Sequence, residues 1–153
     1  MYKGKKIGVV IPAYNEETQI RRVIETMPDF VDQIIIVDDN STDKTVAVIT
    51  DLQKSYPHIT LLRHSTNKGA GAAMVTVYKY AKEQDIDVAV RMDGDGQMNP
   101  DDLPALLDPV VADRADFAKG IRLFTGEAYQ KIPKVRYFGN AFLFLFIKIA
   151  SGY

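Results

Sequence analysis

Short apolar runs alternate along this chain with segments whose apolar residues recur every three or four positions. The runs Ile7–Ile11, Ile34–Val37, Ile59–Leu62 and Val88–Met92 are short and largely apolar, the pattern of strands buried on both faces. Between them, Ile20, Val23, Ile24 and Met27 share one helical face, with Asn15 as the expected cap and Pro28 as the stop. Thr45, Val48, Ile49 and Leu52 mark a second helix, and Met74, Val77, Tyr78 and Ala81 a third. Asn99-Pro100-Asp101-Asp102 is expected to open a fourth, with carboxylates at its positive end and with Pro104 and Pro109 keeping it short or kinked. Phe117-Ala118-Lys119-Gly120 reads as a fifth strand. Alternation of this kind predicts an α/β fold, a mostly parallel sheet with helices on both faces. With no repeat, low-complexity tract or linker, residues 1–153 are expected to form a single domain.

In an open parallel sheet, ligands gather outside the carboxyl ends of the strands. Three of those ends carry polar clusters: Pro12-Ala13-Tyr14-Asn15-Glu16, Asp38-Asp39-Asn40-Ser41 and Asp93-Gly94-Asp95-Gly96-Gln97. One such cluster is ordinary helix-start chemistry. Three at equivalent places predict a single site. In the third, the glycines permit a sharp turn. Two carboxylates and an amide oxygen at alternate positions, Asp93, Asp95 and Gln97, can converge on a hard cation, Mg²⁺ or Mn²⁺. Neither Gly-x-Gly-x-x-Gly nor a Walker loop follows the first strand, so a bound diphosphate would be neutralised mainly by that metal. The small residues of Asn67-Lys68-Gly69-Ala70-Gly71-Ala72-Ala73 allow close backbone approach, either to the sheet or to a ligand.

Composition narrows the field further. The 19 basic and 20 acidic residues leave a formal charge of −1, with no basic excess to suggest nucleic acid. The absence of cysteine excludes disulfides and thiolate metal sites. His58 and His64 lack the company of a zinc site and read as ordinary surface or loop residues. Basic residues precede Ile7–Ile11, but the run is too short for a signal peptide and Asn15-Glu16-Glu17 follows it. An EF-hand loop fails at Met98, where glycine is required, and at Pro104, where the bidentate glutamate belongs.

The segments Val10-Ile11-Pro12-Ala13-Tyr14-Asn15-Glu16, Val37-Asp38-Asp39-Asn40-Ser41-Thr42-Asp43, Asn67-Lys68-Gly69 and Asp93-Gly94-Asp95 occur in a particular order and spacing. Over residues 5–150 the chain thereby resembles the family-2 glycosyltransferases. The resemblance implies the Rossmann-like GT-A fold and inverting transfer of a sugar from a GDP- or UDP-linked donor. It implies that Pro12, Tyr14 and Glu16 line the nucleotide pocket, with Lys68 among the nucleotide-sugar contacts. Asp39, with Asp38, would hydrogen-bond the base or ribose. Asp93, Gly94 and Asp95 would meet the metal and donor diphosphate, Asp93 and Asp95 as the catalytic pair. Gln97 resembles the third metal ligand of the dolichyl-phosphate mannose synthase subgroup.

The tail resembles that subgroup too. Arg122, Arg136 and Asn140 match its acceptor-phosphate site, with Asn140 standing where serine is common, and this implies a polyprenyl-phosphate acceptor. Independently, both arginines suit either a phosphate or a solvated surface. A phosphate acceptor, with a second pKa of about 6, needs no general base. Residues 134–151 are expected to form an apolar amphipathic helix, with Lys131, Lys134 and Arg136 preceding its apolar stretch 137–150. Its stretch 137–150 is too short to span a bilayer; it either lies in the membrane interface or packs on another part of the protein. The expected location is the cytoplasm, at the cytoplasmic face of a membrane. Because the chain stops just after this segment, truncation at the C-terminus is expected. The alternatives are a catalytically incomplete nucleotide-sugar-binding module and a haloacid-dehalogenase-type phosphatase, whose motif sits on an early strand with Thr or Val where Gln97 stands.

Overall fold

The computed structural model describes residues 1–120, of which Met1–Ala118 form one compact unit. The expected helix over 134–151, together with Arg122, Arg136 and Asn140, lies outside the described residues. Four strands, β1 (Ile7–Ala13), β2 (Gln33–Asp38), β3 (Ile59–Arg63) and β4 (Val88–Arg91), form one sheet in the order β3-β2-β1-β4. Every pairing is parallel, with Val9 opposite both Ile34 and Val90, so β1 is central. The helices are α1 (Ile20–Glu25), α2 (Thr45–Leu52), α3 (Ala70–Glu83) and α4 (Leu103–Val111), the last preceded by a 3-10 turn.

Alternate residues of the central strands feed two separate cores. Ile7, Val9, Ile11, Ile34, Ile36 and Ile59 pack beneath α1, α2 and α4, meeting Ile20, Ile24, Ile49, Leu103 and Leu107. Val10, Ile35 and Val37 face the other way, onto Ala73, Met74, Val77 and Ala81 of α3. Full burial of one such isoleucine contributes about 1.5–3 kcal/mol. Burial on both faces explains why these strands are continuous apolar runs.

Three local expectations are corrected. Asn15 does not cap α1: it adopts a left-handed backbone (φ 57°), its Oδ1 accepts from the Thr42 N–H at 2.9 Å, and the helix starts at Ile20. Tyr78 is 47% exposed, because the inner stripe of α3 runs through Ala73, Val77 and Ala81 and the next residue is turned about 100° away. Phe117-Ala118-Lys119-Gly120 is not a strand. No neighbour pairs with it among the described residues, and Phe117 is 77% exposed. The fourth helix holds for nine residues despite Pro109, with Pro104 in its first turn, where the missing N–H costs little.

One glycine of β1 is there for space. A Cβ at Gly8 would lie 3.0 Å from Ile86 Cγ2, where the chain enters β4. Gly8→Ala should therefore destabilise the fold by about 1–2 kcal/mol through overpacking. Urea denaturation measures this; an unchanged midpoint would mean that Ile86 yields freely.

Candidate active site

The strand order reverses between β1 and β4, since β2 and β3 build outward on one side and β4 on the other. Such a switch point opens a crevice at the carboxyl ends of the two strands. The loop after β1 carries Glu16 into this region, and the turn after β4 carries Asp93, Gly94 and Asp95. The two segments touch: a Cβ on Gly94 would lie 3.3 Å from Glu16 Cγ and 3.6 Å from the Pro12 carbonyl oxygen. Gly94 thus lets the acidic turn close on the β1–α1 loop, and Gly96 (φ 70°) completes the turn.

The electrostatics follow from this crowding. Burial, then the nearby charges of Asp95, Asp43 and Asp93, raise the Glu16 carboxyl above the ordinary glutamate range. Asp93 Oδ1 accepts from Arg91 at 2.9 Å (Nε) and 2.8 Å (Nη2), and Asp95 Oδ1 accepts the Gln97 N–H at 3.0 Å. Among the described residues no three His, Asp or Glu side chains form a ready metal cage. The donor set nevertheless fits a hard cation. All candidate ligands are oxygens, Glu16, Asp93 and Asp95 lie close enough to feel one another's charge, and Mg²⁺-type ions are commonly held by one or two carboxylates plus substrate phosphates.

The loops after β1 and β2 are stitched together. The Asn15 N–H donates to Ser41 Oγ (3.0 Å), the Glu16 N–H to Thr45 Oγ1 (2.8 Å) and the Glu17 N–H to Asp43 Oδ2 (3.1 Å). In return Glu17 Oε2 accepts the Lys44 N–H at 2.8 Å, while within the second loop Asp43 Oδ1 accepts the Thr45 N–H at 2.9 Å. These contacts fix the place of Glu16. Tyr14, at the tip, is 47% exposed and available for stacking.

Asp38 and Asp39 close β2 and are both buried. Asp38 accepts the Ser41 N–H at 3.2 Å and faces Arg63 Nε at 3.5 Å. Asp39 has both oxygens engaged within the protein. Oδ1 meets His64 Nδ1 (2.7 Å) and the Lys68 N–H (2.9 Å), and Oδ2 the Gly69 N–H (2.7 Å). Burial pushes the Asp39 carboxyl up, but the Lys68 N–H, the His64 ring and the Gly69 N–H outweigh it and hold the group below the ordinary range. Gly69 has φ 84°, and a Cβ at Gly69 or Gly71 would meet open space. Of the small residues opening α3, only Ala73 joins the buried core.

The expected residues thus fall into two neighbouring groups. Pro12, Glu16, Asp93, Gly94 and Asp95 meet at the switch point, while Asp38, Asp39 and Lys68 gather outside β2 and β3. His64 lies in a loop, as expected, but is corrected as a surface residue, its side chain being 7% exposed, whereas His58 is exposed. Its place immediately after β3 was the available signal. Arg91, Asp43 and Thr45 also passed unremarked as site residues. An open cavity lined by Tyr78, Lys82, Asp85 and Asp87 lies before β4, at the amino ends of the strands and away from this chemistry.

A parallel sheet in this order, with carboxylates at its switch point, is a Rossmann-like α/β arrangement, and the solved structures it matches are glycosyltransferases of the GT-A fold. The chain belongs to glycosyl transferase family 2, whose model matches residues 8–150. It is 32% identical over 162 residues to a UDP-N-acetylglucosamine–dolichyl-phosphate N-acetylglucosaminyltransferase of Methanococcus voltae, covering 97% of this chain and 64% of that protein. It is 34% identical over 128 residues to a polyprenol monophosphomannose synthase of Mycolicibacterium smegmatis, covering 82% of this chain and 48% of that one. The chain thus spans about half to two thirds of the length of these curated relatives. Among solved structures, the mannosyltransferase PcManGT of Pyrobaculum calidifontis with GDP-Man and Mn²⁺ matches in fold, with a TM-score of 0.61, 22% identity and coverage of 69% of this chain and 32% of that one. Glucosyl-3-phosphoglycerate synthase of Mycobacterium tuberculosis, with Mn²⁺, UDP-glucose and phosphoglyceric acid, matches with a TM-score of 0.52, 27% identity and coverage of 70% and 39%.

The buried Asp39 carboxylate gives a pH-dependent stability term. Its lowered pKa means that the contribution is complete above the ordinary value of 3.8 and is lost as pH falls through the depressed one. Asp39→Asn should cost about 1.5–3 kcal/mol at pH 7, because an amide cannot accept at both oxygens. Denaturation at pH 7 and pH 3 should show the difference shrinking at the lower pH. A pH-independent cost would argue against the ionised contacts.

Proposed function

We propose that this chain carries the donor-binding and metal-binding part of an inverting glycosyltransferase that moves a sugar from a GDP- or UDP-linked donor to polyprenyl phosphate. The observation that carries the reading is the meeting of Glu16, Asp93 and Asp95 at the switch point of the sheet. The names of the relatives support it: one pairs UDP-N-acetylglucosamine with dolichyl phosphate, and the other makes a polyprenol monophosphomannose. Pro12, Tyr14, Glu16, Asp38, Asp39 and Lys68 form the nucleotide side of the pocket.

Asp93 and Asp95, with Gln97, would hold Mg²⁺ or Mn²⁺. When bound, that ion supplies positive charge to offset the charge developing on the leaving diphosphate. Arg91 fixes the Asp93 carboxylate, and the Gln97 N–H fixes that of Asp95. Arg122, Arg136 and Asn140 grip the acceptor phosphate. Its oxygen attacks the anomeric carbon on the face opposite the leaving diphosphate, and the bond to the diphosphate breaks with its electron pair going to the diphosphate oxygen. An ionised phosphate needs no base to remove a proton.

Among the described residues no helix is long and apolar enough to cross a membrane. Residues 137–150, preceded by Lys131, Lys134 and Arg136, provide peripheral contact with the cytoplasmic face of a membrane, where the lipid acceptor is found.

Calorimetry with GDP and UDP should show binding that requires Mn²⁺ or Mg²⁺, and Asp95→Asn should lower affinity by about tenfold or more. Equal affinity in excess chelator would overturn the metal assignment, and binding without sugar transfer would mark the chain as a binding module. For the membrane, the protein should sediment with anionic vesicles and less so in high salt. Changing Phe142, Phe144 and Phe146 to Ser should abolish most of that while sparing nucleotide affinity. Indifference to vesicles would remove the membrane contact.

A further inference from the structure

The loop of residues 64–69 connects β3 to α3, and its course is set by one buried side chain. His64 stands directly after β3, its own N–H continuing the sheet to the Asp38 carbonyl at 2.9 Å. Its ring bridges two elements. Nδ1 lies 2.7 Å from Asp39 Oδ1 at the end of β2, and Nε2 lies 2.9 Å from Thr76 Oγ1 inside α3. An ionised carboxylate can only accept, so Nδ1 carries a proton and donates it to Asp39. Thr76 Oγ1 also reaches the Ala72 carbonyl at 3.1 Å, so the hydroxyl that steadies the ring is itself anchored to its helix.

The other side of Asp39 faces the loop. Its two oxygens accept the Lys68 and Gly69 N–H groups, the last backbone donors before α3 begins at Ala70. With His64 on one oxygen and amides on both, the carboxylate has no freedom to rotate. The result is a closed circuit of Thr76, His64, Asp39 and the Lys68-Gly69 backbone, returning to the helix that carries Thr76. Beyond it lie the open surfaces of Gly69 and Gly71, where a side chain would meet nothing.

We propose that His64 is a positioning residue of the donor site: through Asp39 it fixes the Lys68-Gly69 backbone against which the nucleotide is placed. This rests on the glycosyltransferase reading given above. His64 does not touch the donor. It sets how far Lys68 and the glycine surface project toward the nucleotide pocket.

The test compares wild type with His64→Ala, His64→Gln and Thr76→Val, reading amide hydrogen exchange and the affinity for GDP and UDP with Mn²⁺. His64→Ala should speed exchange at Lys68 and Gly69 by about tenfold and weaken nucleotide binding by about tenfold, the loss expected for one charge-assisted hydrogen bond. Exchange at Val10 and Ile35 should stay unchanged. His64→Gln, which retains a donor toward Asp39, should recover most of both effects, and Thr76→Val should give an intermediate loss. If the alanine variant does not fold, the other two decide: wild-type exchange at Lys68 and Gly69 in Thr76→Val overturns the proposal. A loss spread equally over the core amides overturns it as well, because the role would be structural alone. Faster loop exchange with unchanged nucleotide affinity also overturns it. A wild type that binds neither nucleotide refutes the functional reading, whereas the exchange data still decide whether His64 holds the loop.

Discussion

In a parallel sheet every strand finishes at the same end, and each next strand can be reached only by a crossover that leaves from that end. Here the central strand β1 is flanked by β2 and β4, and the loops leaving all three crowd one rim. The two isoleucine- and valine-lined cores on opposite faces hold that geometry in place. Carboxylates 79 residues apart in sequence, such as Glu16 and Asp95, are brought into one another's fields, and burial together with that repulsion raises the Glu16 carboxyl. A bound cation would relieve that repulsion, which is the physical ground for the proposed metal site.

The strands were legible because burial on two faces leaves a purely compositional mark, an apolar run such as Ile34–Val37. The acidic turn was legible because Asp93, Gly94, Asp95 and Gln97 sit next to each other in the chain. What escaped depended on distant partners. Asn favours both a helix start and a left-handed turn, and Thr42, 27 residues away, decides between them at Asn15. His64 is a buried bridge only because Asp39, 25 residues earlier, ends the neighbouring strand. Phe117-Ala118-Lys119-Gly120 has the residues of a strand, but a strand exists only with a neighbour to bond to.

Asp39 shows how one side chain can serve two levels of organisation. Its buried carboxylate, held by two backbone amides and an imidazole, is a stability element. The same contacts shape the loop that borders the proposed nucleotide pocket. Asp38, one residue earlier, faces the opposite way in the pleat and meets Arg63 and the Ser41 amide instead.

The reciprocal hydrogen bonds between the loops after β1 and β2 have a consequence for how this rim can diverge. The Glu16 amide is matched to a hydroxyl at Thr45, the Glu17 carboxylate to the Lys44 amide, and the Asn15 side chain to the Thr42 amide. Replacing one loop without the other strands several of these donors and acceptors at once, each at a cost of about 1 kcal/mol or more. Exchange of one loop therefore requires a matching change in the other, so the two behave as one structural unit of the rim.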